Sequence, residues 1–179
     1  MRAAPLAVTA LAAALLLTGC SGDGDSSGGD SATASPSNGT TCRIGHMDVE
    51  VGPASVAPAA GDTGDIPVTL TNQSAQCTLD GFAGIDLNAT DSSASVSPAK
   101  GAKATKLTLA KGTAATFTLT YTRGEAGAKA SLDVKTLAIG LPGADTQKSF
   151  KWSYGPVQGQ NDNANHPNVS VSAFTQAGD

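Results

Sequence analysis

The chain has 179 residues, 40% of them hydrophobic and 15% charged, with a formal net charge of −4 from 11 Lys and Arg against 15 Asp and Glu. That content suits one globular domain, and the lack of a basic excess argues against nucleic acid as a partner. Three Cys and two His are too thin an inventory for a Cys/His zinc site or a haem, so no cofactor is expected and few catalytic bases are on offer.

The N-terminus carries one charge, Arg2, ahead of the apolar run Ala3 to Leu17. These are the charged and apolar regions of an export signal, and 1–19 is read as one. A retained span needs about 20 apolar residues, whereas this run stops at Thr18-Gly19 before a polar tract. Leu17-Thr18-Gly19-Cys20 resembles the bacterial lipobox, whose cysteine is diacylated before the signal is cut ahead of it. The residue types fit that chemistry. Small Thr18 and Gly19 admit a peptidase, and only a thiol at Cys20 can form the thioether to diacylglycerol. Two or three acyl chains, palmitate among them, each buried methylene contributing about 0.8 kcal/mol, give durable anchoring. The expected location is the extracytoplasmic face of the cell membrane. Loss of Arg2 with the signal leaves 10 bases against 15 acids, a net charge of −5, so overall charge does not draw the protein to anionic headgroups.

Residues 20–41 read as a lipidated tether rich in Gly, Ser and Asp. Ser21 to Thr40 has three Asp, no base and no large apolar side chain, and such a segment does not fold. As a Gly/Ser coil it reaches roughly 25 Å. Asn38-Gly39 resembles a hairpin turn but has no alternating strands beside it.

From Cys42 onward, short alternating runs separated by Gly, Pro, Asn and Asp predict half-buried antiparallel strands. Met47, Val49 and Val51 alternate with Asp48 and Glu50; Ile66, Val68 and Leu70 alternate with Pro67 and Thr69, and Pro67 suggests an edge strand or a bulge. Ile85 and Leu87 enclose Asp86, and Leu107 and Leu109 flank Thr108. The clearest pattern is Thr113 to Thr122, with Ala115, Phe117, Leu119 and Tyr121 on one face and Thr116, Thr118, Thr120 and Thr122 on the other. Leu132 and Val134 differ in parity from Leu137, Ile139 and Leu141, so a bulge or break lies between them. Phe150, Trp152 and Tyr154 form one aromatic face, and Val169 and Val171 mark a weak last strand after a polar loop at 158–168. The fold class is all-β: an immunoglobulin-like antiparallel β-sandwich of about seven to nine strands over 42–179.

With Cys20 assigned to lipid, Cys42 and Cys77 remain, an even pair in an oxidising setting, and they are predicted to form a disulfide. Closing that loop restricts the unfolded chain by about 3.5–4 kcal/mol. No C-x-x-C motif points to a redox role.

A lipobox and polar tether, a following Cys, then Thr71 to Phe82 with its Asn72, Cys77, Leu79, Gly81 and Phe82, then Lys111-Gly112 before the Phe117/Leu119/Tyr121 strand, and Leu137 to Gly143, together resemble the exported domain of unknown function 4232. That family is common in lipoproteins of high-GC Gram-positive bacteria. The resemblance covers Cys42 to Tyr154 and implies the pairing of the two early cysteines. It brings no catalytic residues. The chain departs from the family in having Ala83 where a proline is common and in lacking a second cysteine pair.

Candidate sites are sparse. His46 and His166 lie in polar contexts without a G-x-S-x-G motif, which favours surface histidines over a Ser-His-Asp hydrolase. Asp48, Glu50, Asp80, Asp86 and Asp133 are scattered, and outward-facing positions account for three of them. Asn161, Asp162, Asn163 and Asn165 put oxygens at near-alternate positions, as a calcium loop does, yet the glycine and the terminal Glu of such a loop are missing, so no metal is assigned. Lys100, Lys103, Lys106 and Lys111 form a run without acids that suits anionic wall polymer or lipid headgroups, or blocks edge pairing. Trp152 and Tyr154 would stack on sugars if exposed, although alternation with Lys151 and Ser153 favours core. The expected function is a non-enzymatic, lipid-anchored binding module for a surface protein, a peptide or cell-wall glycan. The alternative is an extracytoplasmic hydrolase of wall or extracellular polymer.

Overall fold

The computed structural model describes residues 40–55 and 59–178, so the signal, Cys20 and the tether up to residue 39 lie outside the described residues. After one 3-10 turn at Ile44–His46, all regular structure among them is strand: β1 Met47–Val51, β2 Thr63–Asn72, β3 Cys77–Gly81, β4 Gly84–Asn88, β5 Ser93–Ser95, β6 Ser97–Pro98, β7 Thr105–Leu109, β8 Ala114–Thr122, β9 Ser131–Leu132, β10 Thr136–Gly140, β11 Gln147–Lys151, β12 Val157–Gln160, β13 Asn163–Pro167, β14 Val169–Val171 and β15 Thr175–Gln176. The protein is all-β, as expected. One layer is ordered β1-β2-β8-β14-β6, with β15 also on β8; the other is made of the four-stranded β11-β10-β4-β5 and the separate two-stranded β3-β7; a small three-stranded sheet is β13-β12-β9.

The two layers meet in one core because their strands alternate. In β8 each of Ala115, Phe117, Leu119 and Tyr121 is buried while the intervening threonines are half-exposed. Its ladder with β2 runs from Thr63 opposite Thr122 to Thr71 opposite Ala114, which sets Ile66, Val68 and Leu70 beside them. Leu79, Ile85, Leu87, Leu137 and Ile139 complete the cluster from the other layer. Each such side chain contributes about 1.5–3 kcal/mol by leaving water. On the outer face the hydroxyls bond across strands: Thr120 donates to Asp65 at 2.7 Å, Thr116 and Thr175 lie 3.0 Å apart, and Asn168 donates to Thr122 at 2.8 Å.

The chain is cut more finely than the sequence suggests. β3 and the strand expected around Ile85 and Leu87 are separated at Phe82-Ala83 after Gly81, whose φ of 128° favours glycine. The phase break expected between Val134 and Leu137 falls in the segment between β9 and β10. Three corrections follow. Pro67 does not mark an edge strand, since β2 lies between β1 and β8. Its carbonyl accepts from Gly52 N at 2.8 Å just past the last β1 pair at Val51–Val68, and the return bond that its ring nitrogen cannot donate is replaced at the Gly52 carbonyl by the Tyr154 hydroxyl at 2.6 Å. The polar loop expected at 158–168 is a hairpin, β12 and β13, joined by Asn161 and Asp162 at φ 50° and 59°, the positive-φ pair of a type I′ turn. Finally, β14 pairs with β6 in parallel, so the sheet is not wholly antiparallel.

Strand direction gives the sandwich two poles. The described chain begins at one, where Thr40 accepts from Thr78 N, Gln73 N donates to His46 and Gly112 N donates to Asn72. At the opposite pole β8 ends beside the start of β2, where Gly61 N donates to the Arg123 carbonyl and Gly124 N to that of Pro156.

Candidate functional site

The N-terminal pole is built on two buried anchors. Cys42 and Cys77, 1% and 7% exposed, form the predicted disulfide with Cα atoms 4.9 Å apart, tying the chain ahead of β1 to β3. Asn72, 0% exposed, ends the inward stripe of β2. Its amide donates at 3.0 Å to the carbonyls of Ala75 and Leu109, and its oxygen accepts from Ser74 N at 3.0 Å. Both amide hydrogens and one lone pair of the oxygen are thus engaged, which is what lets an amide be buried. The spacing of Asn72 and Cys77 therefore has a mechanical basis: the amide folds the 72–76 turn that delivers Cys77 to Cys42.

The opposite pole gathers the aromatic residues. Trp152 is a correction: it is buried, 5% exposed, and so is no sugar-stacking surface. The predicted strand does not run on to Tyr154, because β11 ends at Lys151 and the chain turns at Gly155, where φ is 82°. The Trp152 indole donates to the Gly155 carbonyl at 2.6 Å, and its ring meets Tyr121 and Tyr154 edge-on at centroid distances of 5.5 and 4.9 Å. Tyr154 is half-buried, with its hydroxyl donating to Gly52 at 2.6 Å, while the Tyr121 hydroxyl donates to the Tyr154 carbonyl at 3.2 Å. Phe150 lies apart on β11 under the Lys148 ammonium. Burial pushes the phenols of Tyr121 and Tyr154 above their ordinary value; the Arg123 charge opposes this at Tyr121, and the Tyr121 phenol adds to it at Tyr154.

Arg123 was not among the sequence candidates, although it continues the inward parity of Phe117, Leu119 and Tyr121 past the end of β8. Its guanidinium lies flat against Gly155: a Cβ there would sit 3.0 Å from Cζ and 3.1 Å from Nε. It opens into a depression of about 440 Å³ lined by Ala59, Ala60, Gly124, Glu125, Ala126 and Pro156.

The remaining candidates are dispersed. Lys100, Lys103, Lys106 and Lys111 are exposed, but the run is not free of acid in space, since Asp80 of β3 stands directly opposite Lys106 of β7. The calcium candidates Asn161, Asp162, Asn163 and Asn165 are a correction in geometry. They belong to the β12–β13 hairpin, where the Asn163 oxygen accepts from Asn165 N at 3.0 Å. Asp48 and Glu50 are exposed on β1, Asp133 pairs with Lys135 at 2.6 Å, and Asp86 accepts from Ser95 at 2.5 Å and Gln147 at 2.6 Å. His46 is exposed in the 3-10 turn. His166 shares a polar cleft with Ser95 and Ser97, and the Ser95 hydroxyl is donated to Asp86.

The family profile of a domain of unknown function, DUF4232, matches residues 42–175. The chain belongs to the DUF4232 family. The match begins at the first cysteine of the disulfide and ends at the start of β15, so the DUF4232 domain is the whole sandwich with both poles included. No curated relative matches the chain.

Proposed function

We propose that the protein is exported, cleaved ahead of Cys20 and lipidated on that thiol, and that its DUF4232 domain is a non-enzymatic binding module at the outer face of the cell membrane for a surface protein, a peptide or cell-wall glycan. One observation carries the reading. The chain enters the sandwich at the pole held by Cys42–Cys77 and Asn72, and the loops at 59–62, 123–130 and 152–156 gather at the other, so the disulfide and the tether junction leave those loops uncovered. The exposed Lys100, Lys103 and Lys106 offer a further contact for anionic polymer. The non-enzymatic part is supported by how the carboxylates are used: Asp86 and Asp133 are engaged by Ser95, Gln147 and Lys135, while Asp48 and Glu50 face solvent.

Fatty-acid labelling and fractionation of cells expressing the full chain and Cys20→Ser test the anchor. The wild type is expected in the membrane with label and the variant in the medium without it; an unlabelled wild type, or a variant that stays membrane-bound at unchanged mass, overturns the reading. Incubation with labelled wall polymer tests the other part, since release of soluble fragments by the purified chain would make it a hydrolase.

A further inference from the structure

We propose that the Arg123 depression is a recognition site for a compact zwitterion of the α-amino-acid kind, free or as a short peptide, with its carboxylate on the Arg123 guanidinium and its ammonium beside Glu125. The assignment rests on the binding-module reading and names the ligand class for it. The guanidinium rests on a rigid seat. It lies against Gly155, where a Cβ would stand 3.0 to 3.1 Å from it, and that turn is clamped three times: by the Trp152 indole on the Gly155 carbonyl at 2.6 Å, by the Tyr121 hydroxyl on the Tyr154 carbonyl at 3.2 Å, and by the Tyr154 hydroxyl on Gly52 at 2.6 Å. On its other side, Arg123 N donates to Asp62 at 2.9 Å and its carbonyl accepts from Gly61 N at 2.8 Å, so the backbone is fixed as well. Among the described residues the ion pair is Lys135 with Asp133, and Arg123 makes no side-chain hydrogen bond. No buried side-chain nitrogen or oxygen there lacks a partner, so the Arg123 donors face the open depression.

A planar fork of donors matches a carboxylate, and a rigid seat beneath it lowers the ordering cost that otherwise weakens binding. Glu125 on the same rim decides between ligand classes. It repels a simple anion that Arg123 attracts, whereas a zwitterion satisfies both charges. Ala59, Ala60, Ala126 and Pro156 supply a short apolar rim, which suits a small side chain better than a large one.

The full chain, purified in mild detergent, is titrated with alanine, alanylalanine, N-acetyl-alanylalanine and alanylalanine amide by calorimetry, and by the emission of Trp152, the single tryptophan. Binding by alanine or alanylalanine is expected, the first alone pointing to a free amino acid and the second to a peptide. R123Q is expected to weaken it at least about tenfold. R123K keeps the stem and charge but lacks the fork, and should fall between. E125Q, at an exposed position, should weaken alanylalanine but strengthen the N-acetyl form, which loses a repulsion and no partner. Thermal melts matching the wild type show that the variants fold; if R123Q does not fold, R123K and E125Q decide. No binding of either zwitterion up to millimolar concentration, or wild-type affinity retained in folded R123Q, in R123K or in E125Q, overturns the assignment. The two readings fail separately. Absence of lipid on Cys20 leaves this affinity untouched, whereas equal capture of cell-surface protein or glycan by wild type and R123Q retains the binding module and removes this site.

Discussion

Asn72→Ala should cost the fold far more than an amide usually does. The side chain is wholly buried and makes three hydrogen bonds, of which the one to the Leu109 carbonyl is in the dry core and those to Ala75 and Ser74 border solvent. The two wetter bonds contribute about 1 kcal/mol each, and a stranded buried carbonyl costs about 1–3 kcal/mol, which places the loss near 3–5 kcal/mol. Against a typical stability of about 5–15 kcal/mol this is a large share, and it corresponds to a fall in Tm of roughly 10–15 °C for a domain of this size. Urea unfolding followed by Trp152 emission measures it. Asn72→Asp adds an internal check. It keeps the acceptor for Ser74 N but turns an anionic oxygen toward two carbonyls, so burial raises the carboxyl's pKa in the folded state. The variant is then most stable below the unfolded value of about 3.9 and loses stability as pH rises above it. A loss below about 1 kcal/mol in Asn72→Ala, or an Asn72→Asp difference from wild type that does not change with pH, refutes the argument.

Replacing both Cys42 and Cys77 by Ser opens a link of sequence separation 35 and should remove about 3.5–4 kcal/mol in the same unfolding assay; a loss under about 1 kcal/mol would mean that the unfolded chain is already constrained there. Because burial raises the phenols of Tyr121 and Tyr154, the folded state keeps its protons longer than the unfolded one. Stability should hold below about pH 10 and fall as pH rises through the folded values. Absorbance titration at alkaline pH checks this with only two tyrosines in the chain, and ordinary ionisation of both without loss of structure contradicts it.

Period-two alternation located β1, β2, β8 and β10 because each has one face in the core and one in water. It failed where the chain leaves that geometry. Phe150, Trp152 and Tyr154 keep the parity of a strand, yet the positive φ at Gly155 and the indole bond back to it wrap Trp152 and Tyr154 around Tyr121. Asn161 and Asp162 look like metal ligands in sequence because the same short polar side chains also tolerate the positive φ of a two-residue hairpin. The two polar residues on which each pole depends were in view in a different sense. Asn72 extends the stripe Ile66, Val68, Leu70, and Arg123 extends Phe117, Leu119, Tyr121. A polar residue that keeps an inward parity at a strand end signals a structured pole, and neither was singled out by composition.

The Cys42–Cys77 bond also determines how the molecule bears load. A pull on the chain ahead of Cys42 crosses the disulfide to β3 before it reaches β1, so neither β1 nor β2 can be peeled away as a free end. The enclosed stretch, of sequence separation 35, holds about 120 Å of extended chain that tension cannot release while the disulfide is intact. Reduction would turn the same domain from a stiff link into one that lengthens strand by strand under force.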